Sequence, residues 1–334
     1  MSHRRSEQGI TLIEILALFI IVGVLVVFAF SFIKTTSYGE DAKKDLRSFI
    51  DYRTQDVHRI LIQEYFNEKS KDRFDIWRKA ANAGNPAGQV LIGLCYLYGI
   101  SVPQDESEAV EWFRKSADRN LAEGQFQLGE CYALGKGISE DIAEAIKWFR
   151  KAAEQEHTEA QFSLGMHLFD SYLFGEGIPE DQAEGIKWFR KSAEAGYIQA
   201  QSFLGAYYSD VVPPNDAEAI KWHRQAAEQG HGFSQYQLGK RYLLGEGVLR
   251  DEAEGVQWLR QAAEHGYNEA QYLFGVCYFY GMGIEQNVEE ALKWLREAAA
   301  QEHDGAIELL EWFQQEGKSE EELENHDVES VPEL

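Results

Sequence analysis

Three cysteines (Cys95, Cys131, Cys277) and three histidines at one recurring register (His157, His231, His303) carry the groups from which thiol or metal chemistry is made. Each such chemistry needs its groups brought close together. The cysteines all fall two residues after a repeated glycine, and helices stacked side by side hold equivalent positions about 9–10 Å apart. A disulfide tolerates only about 7 Å between Cα atoms, and an odd count makes no paired set. They read as small, buried apolar residues. The histidines share their register with Tyr197 and Tyr267, at the turn between one repeating unit and the next. A row spaced by whole units does not converge on one ion, so no metal and no cofactor is expected.

Two polar rows offer binding chemistry instead. Gln89, Gln125, Gln161, Gln201, Gln235 and Gln271 each precede a repeated glycine by four residues. Arg114, Arg150, Arg190, Arg224, Arg260 and Arg296 each follow a repeated tryptophan by two. A glutamine row could bind the backbone of an extended peptide, and an arginine row could bind carboxylates. A binding site would be localised, whereas these rows run through every unit, so they read as internal scaffold that satisfies turns and neighbouring units. The many carboxylates lie on polar helix faces beside Lys and Arg. No nucleophile elbow, phosphate loop or zinc spacing is present, and the chain does not read as an enzyme.

One acid stands apart. Glu14 opens the run "ILALFIIVGVLVVFAFSFI", Ile15 to Ile33, which carries no charge. As a helix this run spans about 28 Å, the hydrocarbon thickness of a bilayer, and it lacks the polar stripe of a buried core helix. An unpaired carboxylate in lipid costs about 2–4 kcal/mol, so Glu14 needs a reason. The stretch "EQGITLIE" resembles the leader and mature start of type IV prepilins and of the pseudopilins of type II secretion systems. The resemblance implies a leader, residues 1–9, ending at Gly9, with Ile10 as the first mature residue, cut by a prepilin peptidase and then methylated. It also implies that the new amine of one subunit meets Glu14 of its neighbour, and that the body of the protein lies outside a bacterial inner membrane crossed once. The other reading is an uncleaved signal anchor whose Glu14 snorkels to water. Lys and Arg flank the apolar run on both sides and do not settle orientation.

After residues 10–33 comes a polar linker with Gly39 as a break, then an amphipathic helix carrying Leu46, Phe49, Ile50, Val57, Ile60, Leu61 and Phe66, the whole covering 34–70. From 71 to 316 self-similarity takes over. Trp112, Trp148, Trp188, Trp222, Trp258 and Trp294 recur at intervals near 36 residues, which signals a solenoid of helix-turn-helix units. A small residue stands three before each Trp and again four and five after it, as in Ala145 and Ala152-Ala153, so the Trp reads as a knob with clearance for a neighbouring helix. Gly93, Gly129, Gly165, Gly205, Gly239 and Gly275 recur inside the other helix, where glycine is costly unless backbones must approach. Glycine pairs such as Gly135 and Gly137 then reverse the chain.

The Leu-Gly step, the following Tyr, the Gly-x-Gly turn, the Asp before the second helix and the Trp followed by Ala-Ala are very similar to the Sel-one-like repeats, relatives of the tetratricopeptide repeats. The match comprises six full units, a leading half unit at "FDIWRKAANAG" in which Trp77 sits one place out of register, and a closing helix with Trp312. Two units depart from the pattern: the third inserts four residues in "LGMHLFDSYLFGEG", which should lengthen its first helix, and the fourth replaces the glycine turn with "SDVVPPND". The segment 317–334 is an acidic tail of disordered composition.

The expected fold is therefore all-α, a single N-terminal membrane helix followed by a right-handed α-solenoid. A net charge of -24 argues against nucleic acid as a partner. The expected function is a membrane-anchored scaffold that binds protein partners through the solenoid, with pilin-like subunits as further partners through the N-terminal helix.

Overall fold

A computed structural model describes residues 74, 77–78, 81–173, 179–211 and 213–316. The leader, the apolar run, the 34–70 segment and the acidic tail lie outside the described residues, as do Gly9, Ile10 and Glu14. Among the described residues every regular element is an α-helix, and no helix is long and apolar enough to cross a membrane. The helices are α1 Pro86–Tyr98, α2 Glu106–Asp118, α3 Ala122–Leu134, α4 Ile142–Glu154, α5 Thr158–Leu173, α6 Pro179–Glu194, α7 Ile198–Asp210, α8 Asp216–Glu228, α9 Gly232–Leu244, α10 Glu252–Glu264, α11 Asn268–Tyr280, α12 Val288–Ala299 and α13 Asp304–Glu316. They pack as an all-α solenoid of helix pairs: α1 to α5 pack each against the next, and so do α7 to α13. The chain divides into two compact units, one ending at Gly185 and one beginning at Ile186, within α6.

Local sequence sets where each helix starts and stops. The second helix of a pair begins at a side-chain cap: Asp105, Asp141, Asn215, Asp251 and Asn287 each accept the backbone N–H three residues on, at 3.0–3.3 Å. Glutamates in the first turn add favourable charge at the positive end of the helix dipole. The first helix of a pair ends on a left-handed glycine, Gly135 at φ 64° and Gly281 at φ 68° for example. The second glycine of that turn has two reasons to be glycine. Gly137 and Gly283 also have positive φ, and a Cβ on either would strike the backbone at Glu106 or Glu252, at the start of the preceding unit's second helix. In the first unit Ser101 takes this place at φ 61°.

The mid-helix glycines do mark close approach, but their partner differs from the one the sequence suggests. A Cβ on Gly129 would lie 2.7 Å from the Phe149 ring, on Gly93 2.5 Å from Phe113, on Gly205 2.6 Å from His223 and on Gly239 2.6 Å from Leu259. The knob is thus the residue after each Trp, and Phe113, Phe149, Phe189, His223, Leu259 and Leu295 are completely or almost completely buried. The tryptophans lie one position round the helix. Trp112, Trp148, Trp258 and Trp294 are half-buried, and Lys115, Lys151 and Lys191 rest 3.7–4.1 Å from the ring centres of Trp112, Trp148 and Trp188. The small residues serve the same approach: Ala109, Ala145, Ala219 and Ala291 are fully buried, and a Cβ on Gly255 would lie 2.9 Å from the Gly239 carbonyl oxygen. This also explains Trp77, which is out of register with the tryptophans but in register with the knobs and is 5% exposed.

The departing units show their departures. In the third, α5 runs for 16 residues where α1, α3, α7, α9 and α11 run for 13. In the fourth, α7 ends on Val211 in extended conformation, with φ -64° and ψ 151°, in place of a left-handed glycine.

The glycine row yields a test. Helix propensity alone would favour Gly129→Ala by about 1 kcal/mol, whereas crowding a packed core costs about 1–3 kcal/mol. The buried Phe149 ring has nowhere to go, so Gly129→Ala is expected to lower the urea midpoint of the transition that includes α3 and α4. An unchanged or raised midpoint would show that the glycine is not set by packing.

Candidate interaction surface

The glutamine row is spent inside the scaffold. Each glutamine is buried, and its amide donates back to a carbonyl near the end of the preceding helix: Gln161 to Ala153 at 3.2 Å, Gln201 to Ala193 at 3.0 Å, Gln235 to Ala227 at 3.1 Å and Gln271 to Ala263 at 3.2 Å. Those carbonyls are among the last of their helices and have no intrahelical donor. In three repeats the glutamine oxygen is in turn held from the end of the second helix of its own pair, Gln155 donating to Gln125, Gln229 to Gln201 and Gln301 to Gln271 at 2.7–2.8 Å. One side chain therefore ties three helices together.

The arginine row is a second tie. Arg114 donates to the Tyr132 hydroxyl at 3.1 Å, and Arg224 donates to the Tyr242 hydroxyl, each Tyr lying on the first helix of the following unit. Arg150 pairs with Glu184 and Arg224 with Glu254 across the same joint. These pairs are more than a third exposed, so each contributes modestly.

The recurring histidines are helix caps rather than bare turn residues. His157, His231 and His303 each begin a first helix, and their Nδ1 atoms accept from the backbone N–H of Ala160, Ser234 and Ala306 at 3.2–3.3 Å. The rings of His157 and His303, and Tyr267 in the same place, also lean on an aromatic of the preceding unit: Phe126 with His157 at 4.8 Å, Tyr236 with Tyr267 at 5.6 Å and Tyr272 with His303 at 4.6 Å between centroids. His157 also meets Glu123 at 2.9 Å through Nε2. Burial works against a charge on His157, but the Glu123 hydrogen bond and charge outweigh it and raise its pKa.

Nothing reactive is left over among these groups. The three cysteines are free thiols, buried, and desolvation pushes each up to about 12, so they are not thiolates at neutral pH. Among the described residues no cluster of His, Cys, Asp and Glu could hold a metal ion.

The face left open is a stripe along α3, α7 and α9 at four-, three- and four-residue steps, positions that fall on one side of an α-helix, whereas Leu91 and Leu94 of α1 and Val276 of α11 at the same places are buried. In the first unit α3 presents Glu123, Gln127, Glu130 and Leu134, the last 44% exposed. Burial raises the pKa of Glu130, with Lys136 acting against it. In the second unit α9 presents Phe233, Gln237, Lys240 and Leu244, the last 58% exposed. First helices of successive pairs approach each other within each unit, α1 with α3 and α7 with α9, which brings the stripes of α7 and α9 together. The sequence did not single out this stripe because its letters change from unit to unit. Two further residues break the register: His223 stands at a knob position, and Arg241 stands where Cys95, Cys131 and Cys277 stand in other units. Arg241 repairs the altered fourth turn, donating to Asp216 at 2.8 Å and to Ser209 at 2.9 Å.

With this geometry in view, the family model described as Sel1 repeat matches residues 86–121, 122–157, 158–197, 198–231, 232–267 and 268–303. The chain belongs to the Sel1 repeat family. A Sel1 repeat protein from Oxalobacter formigenes is 30% identical over 72% of this chain and 96% of its own, with a TM-score of 0.58. The protective antigen c5321 of uropathogenic Escherichia coli, which displays an SLR fold, is 25% identical over 75% of this chain and 62% of its own, with a TM-score of 0.48. No curated protein matches the chain. Proteins of Sel1 repeats are protein–protein interaction scaffolds, and a surface whose constant letters are internal ties and whose variable letters face outward suits that role.

Gln201→Leu tests the tie. It removes two hydrogen bonds, one to the Ala193 carbonyl, which keeps the Gly196 N–H, and one from the Gln229 amide, which keeps the Gln225 carbonyl, and each such bond contributes about 1 kcal/mol. The variant is expected to unfold at lower urea, measured by circular dichroism. A midpoint equal to that of the parent chain would place the row outside the scaffold.

Proposed function

We propose that this chain is a non-catalytic interaction scaffold anchored in a bacterial inner membrane by residues 10–33, with its Sel1 repeats on the extracytoplasmic side, and that it serves as a pilin-like or pseudopilin-like component of a type IV pilus or type II secretion-type system. The observation that carries this reading is the register of Gly9, Ile10 and Glu14 at the head of an uncharged apolar run. A carboxylate at that depth is tolerable when an amine meets it. Cleavage after Gly9 creates such an amine on each copy, and lateral association brings it to the Glu14 of the next. Prepilin peptidase is then an obligatory partner.

A second reading is a tethered adaptor with an uncleaved anchor and no place in a filament. Two observations favour it: the sequence places Gly39, a helix-breaking residue type, where a filament subunit would continue its helix, and the described head is entirely helical, unlike the strand-rich head of a pilin. In either case the partners engage the stripe on the first helices, and the chemistry of that stripe sets which proteins bind.

Mass spectrometry of the membrane-fraction protein, from cells with an active prepilin peptidase, tests the first reading. A mature chain beginning at N-methylated Ile10 is expected, and Glu14→Ala is expected to abolish self-association in the membrane. A chain that begins at Met1, with association indifferent to Glu14→Ala, would leave only the tethered adaptor. Separately, Lys240→Glu with Leu244→Ser should weaken partner capture at least tenfold without changing the helical circular dichroism. Unaltered capture would move the binding surface elsewhere.

A further inference from the structure

The joint between α8 and α9 carries polar groups, among them one at a knob position that is hydrocarbon in every other repeat. His223 fills the knob position taken elsewhere by Phe113, Phe149, Phe189, Leu259 and Leu295, and it is 1% exposed. Its Nδ1 lies 3.3 Å from the Ser234 hydroxyl, and that hydroxyl lies 3.1 Å from the Nδ1 of His231. Ser234 is fully buried. Arg241 is the charged group that acts on His223, and Asp216 at the start of α8 neutralises Arg241 at 2.8 Å. From α7 the His223 ring meets Gly205, and from α9 it also meets the edge of Phe233.

Proton accounting fixes the His231 tautomer. The backbone N–H of Ser234 donates to Nδ1 of His231, so that nitrogen carries no hydrogen. The Ser234 hydroxyl, with one proton and two lone pairs, bridges that nitrogen and Nδ1 of His223. The chain therefore runs His223 to Ser234 to His231 with both rings neutral. A proton added at Nδ1 of His231 turns the cap of α9 from an acceptor into a donor facing the Ser234 backbone N–H. A proton added to His223 buries a charge beside the Arg241 guanidinium.

We propose that the α8–α9 joint is an acid-released latch: proton uptake at His231 and His223 uncaps α9, breaks the Ser234 relay and opens the second unit at this joint, while the His157 joint in the first unit tightens. Burial, with Arg241 and His231 adding to it, lowers His223 to about 3, and burial lowers His231 to about 4. Both start from an ordinary value of 6.5, so below that pH the opened joint binds more protons than the closed one. Stability of this joint is complete above pH 6.5 and falls as pH drops from 6.5 towards the depressed values. His157 has the opposite sign: its pKa is raised, so its contribution is present below 6.5 and is lost as pH rises through the raised value.

Hydrogen exchange on the full-length chain at pH 7.5 and pH 5.5, corrected for intrinsic rates, tests the latch. The opening constant of amides in 216–244 is expected to rise about tenfold for each depressed histidine, while that of 158–165, behind the His157 cap, does not rise. His231→Asn keeps a side-chain cap without a titrating ring, and His223→Phe restores the hydrocarbon knob. The double variant should fold and lose the pH response, and His231→Asn alone should lose about half of it on a logarithmic scale. Equal opening of 216–244 at both pH values in the parent chain would overturn the proposal, as would a full response in His231→Asn or in the double variant.

Discussion

The stack depends on one contact: a fully buried side chain of the second helix seated against a glycine of the first. Seven tenths or so of a helix diameter is set by side chains, and removing the Cβ at Gly93, Gly129, Gly205, Gly239 and Gly275 lets the knob sit against bare backbone. Every other regularity follows from holding that contact in each pair. The small residues four before the knob keep the same two backbones close, and the glycine turn must bring the chain back quickly enough to place the knob opposite its glycine. A solenoid has no single deep core, so the same local solution has to be found again in each unit.

Close backbones leave polar ends to be satisfied in a confined space. The glutamine amide answers a carbonyl at the end of the preceding helix and the arginine answers a hydroxyl on the next, so each pair of helices completes the hydrogen bonding of its neighbours. Surface ion pairs such as Arg224 with Glu254 add little by themselves. The larger effect is that a displaced unit would leave buried amides and carbonyls without partners.

Helix pairing, the turns, the glycine row and the structural role of the glutamine and arginine rows were legible in the sequence, because each is marked by a constant letter with a strong conformational or hydrogen-bonding meaning. The knob was not. Tryptophan is the conspicuous letter, whereas the knob beside it changes between Phe, His and Leu and so shows no repeat of its own. His223 and Arg241 were invisible for a related reason: a polar residue inside a repeat looks like drift until its neighbours are known. The capping role of His157, His231 and His303 was half seen, since their place at the turn was clear but the direction of the Nδ1 lone pair was not.

Among the described residues the ties run forward and backward by one unit, as from Arg114 to Tyr132 and from Gln201 to the Ala193 carbonyl. Such a chain can change length over evolutionary time only by gaining or losing a complete pair of helices, since half a pair would orphan a guanidinium on one side and a carbonyl on the other. Duplication of a whole segment, by contrast, recreates a joint that already works. The size of the head can therefore be adjusted to the span of its partner without inventing a new contact.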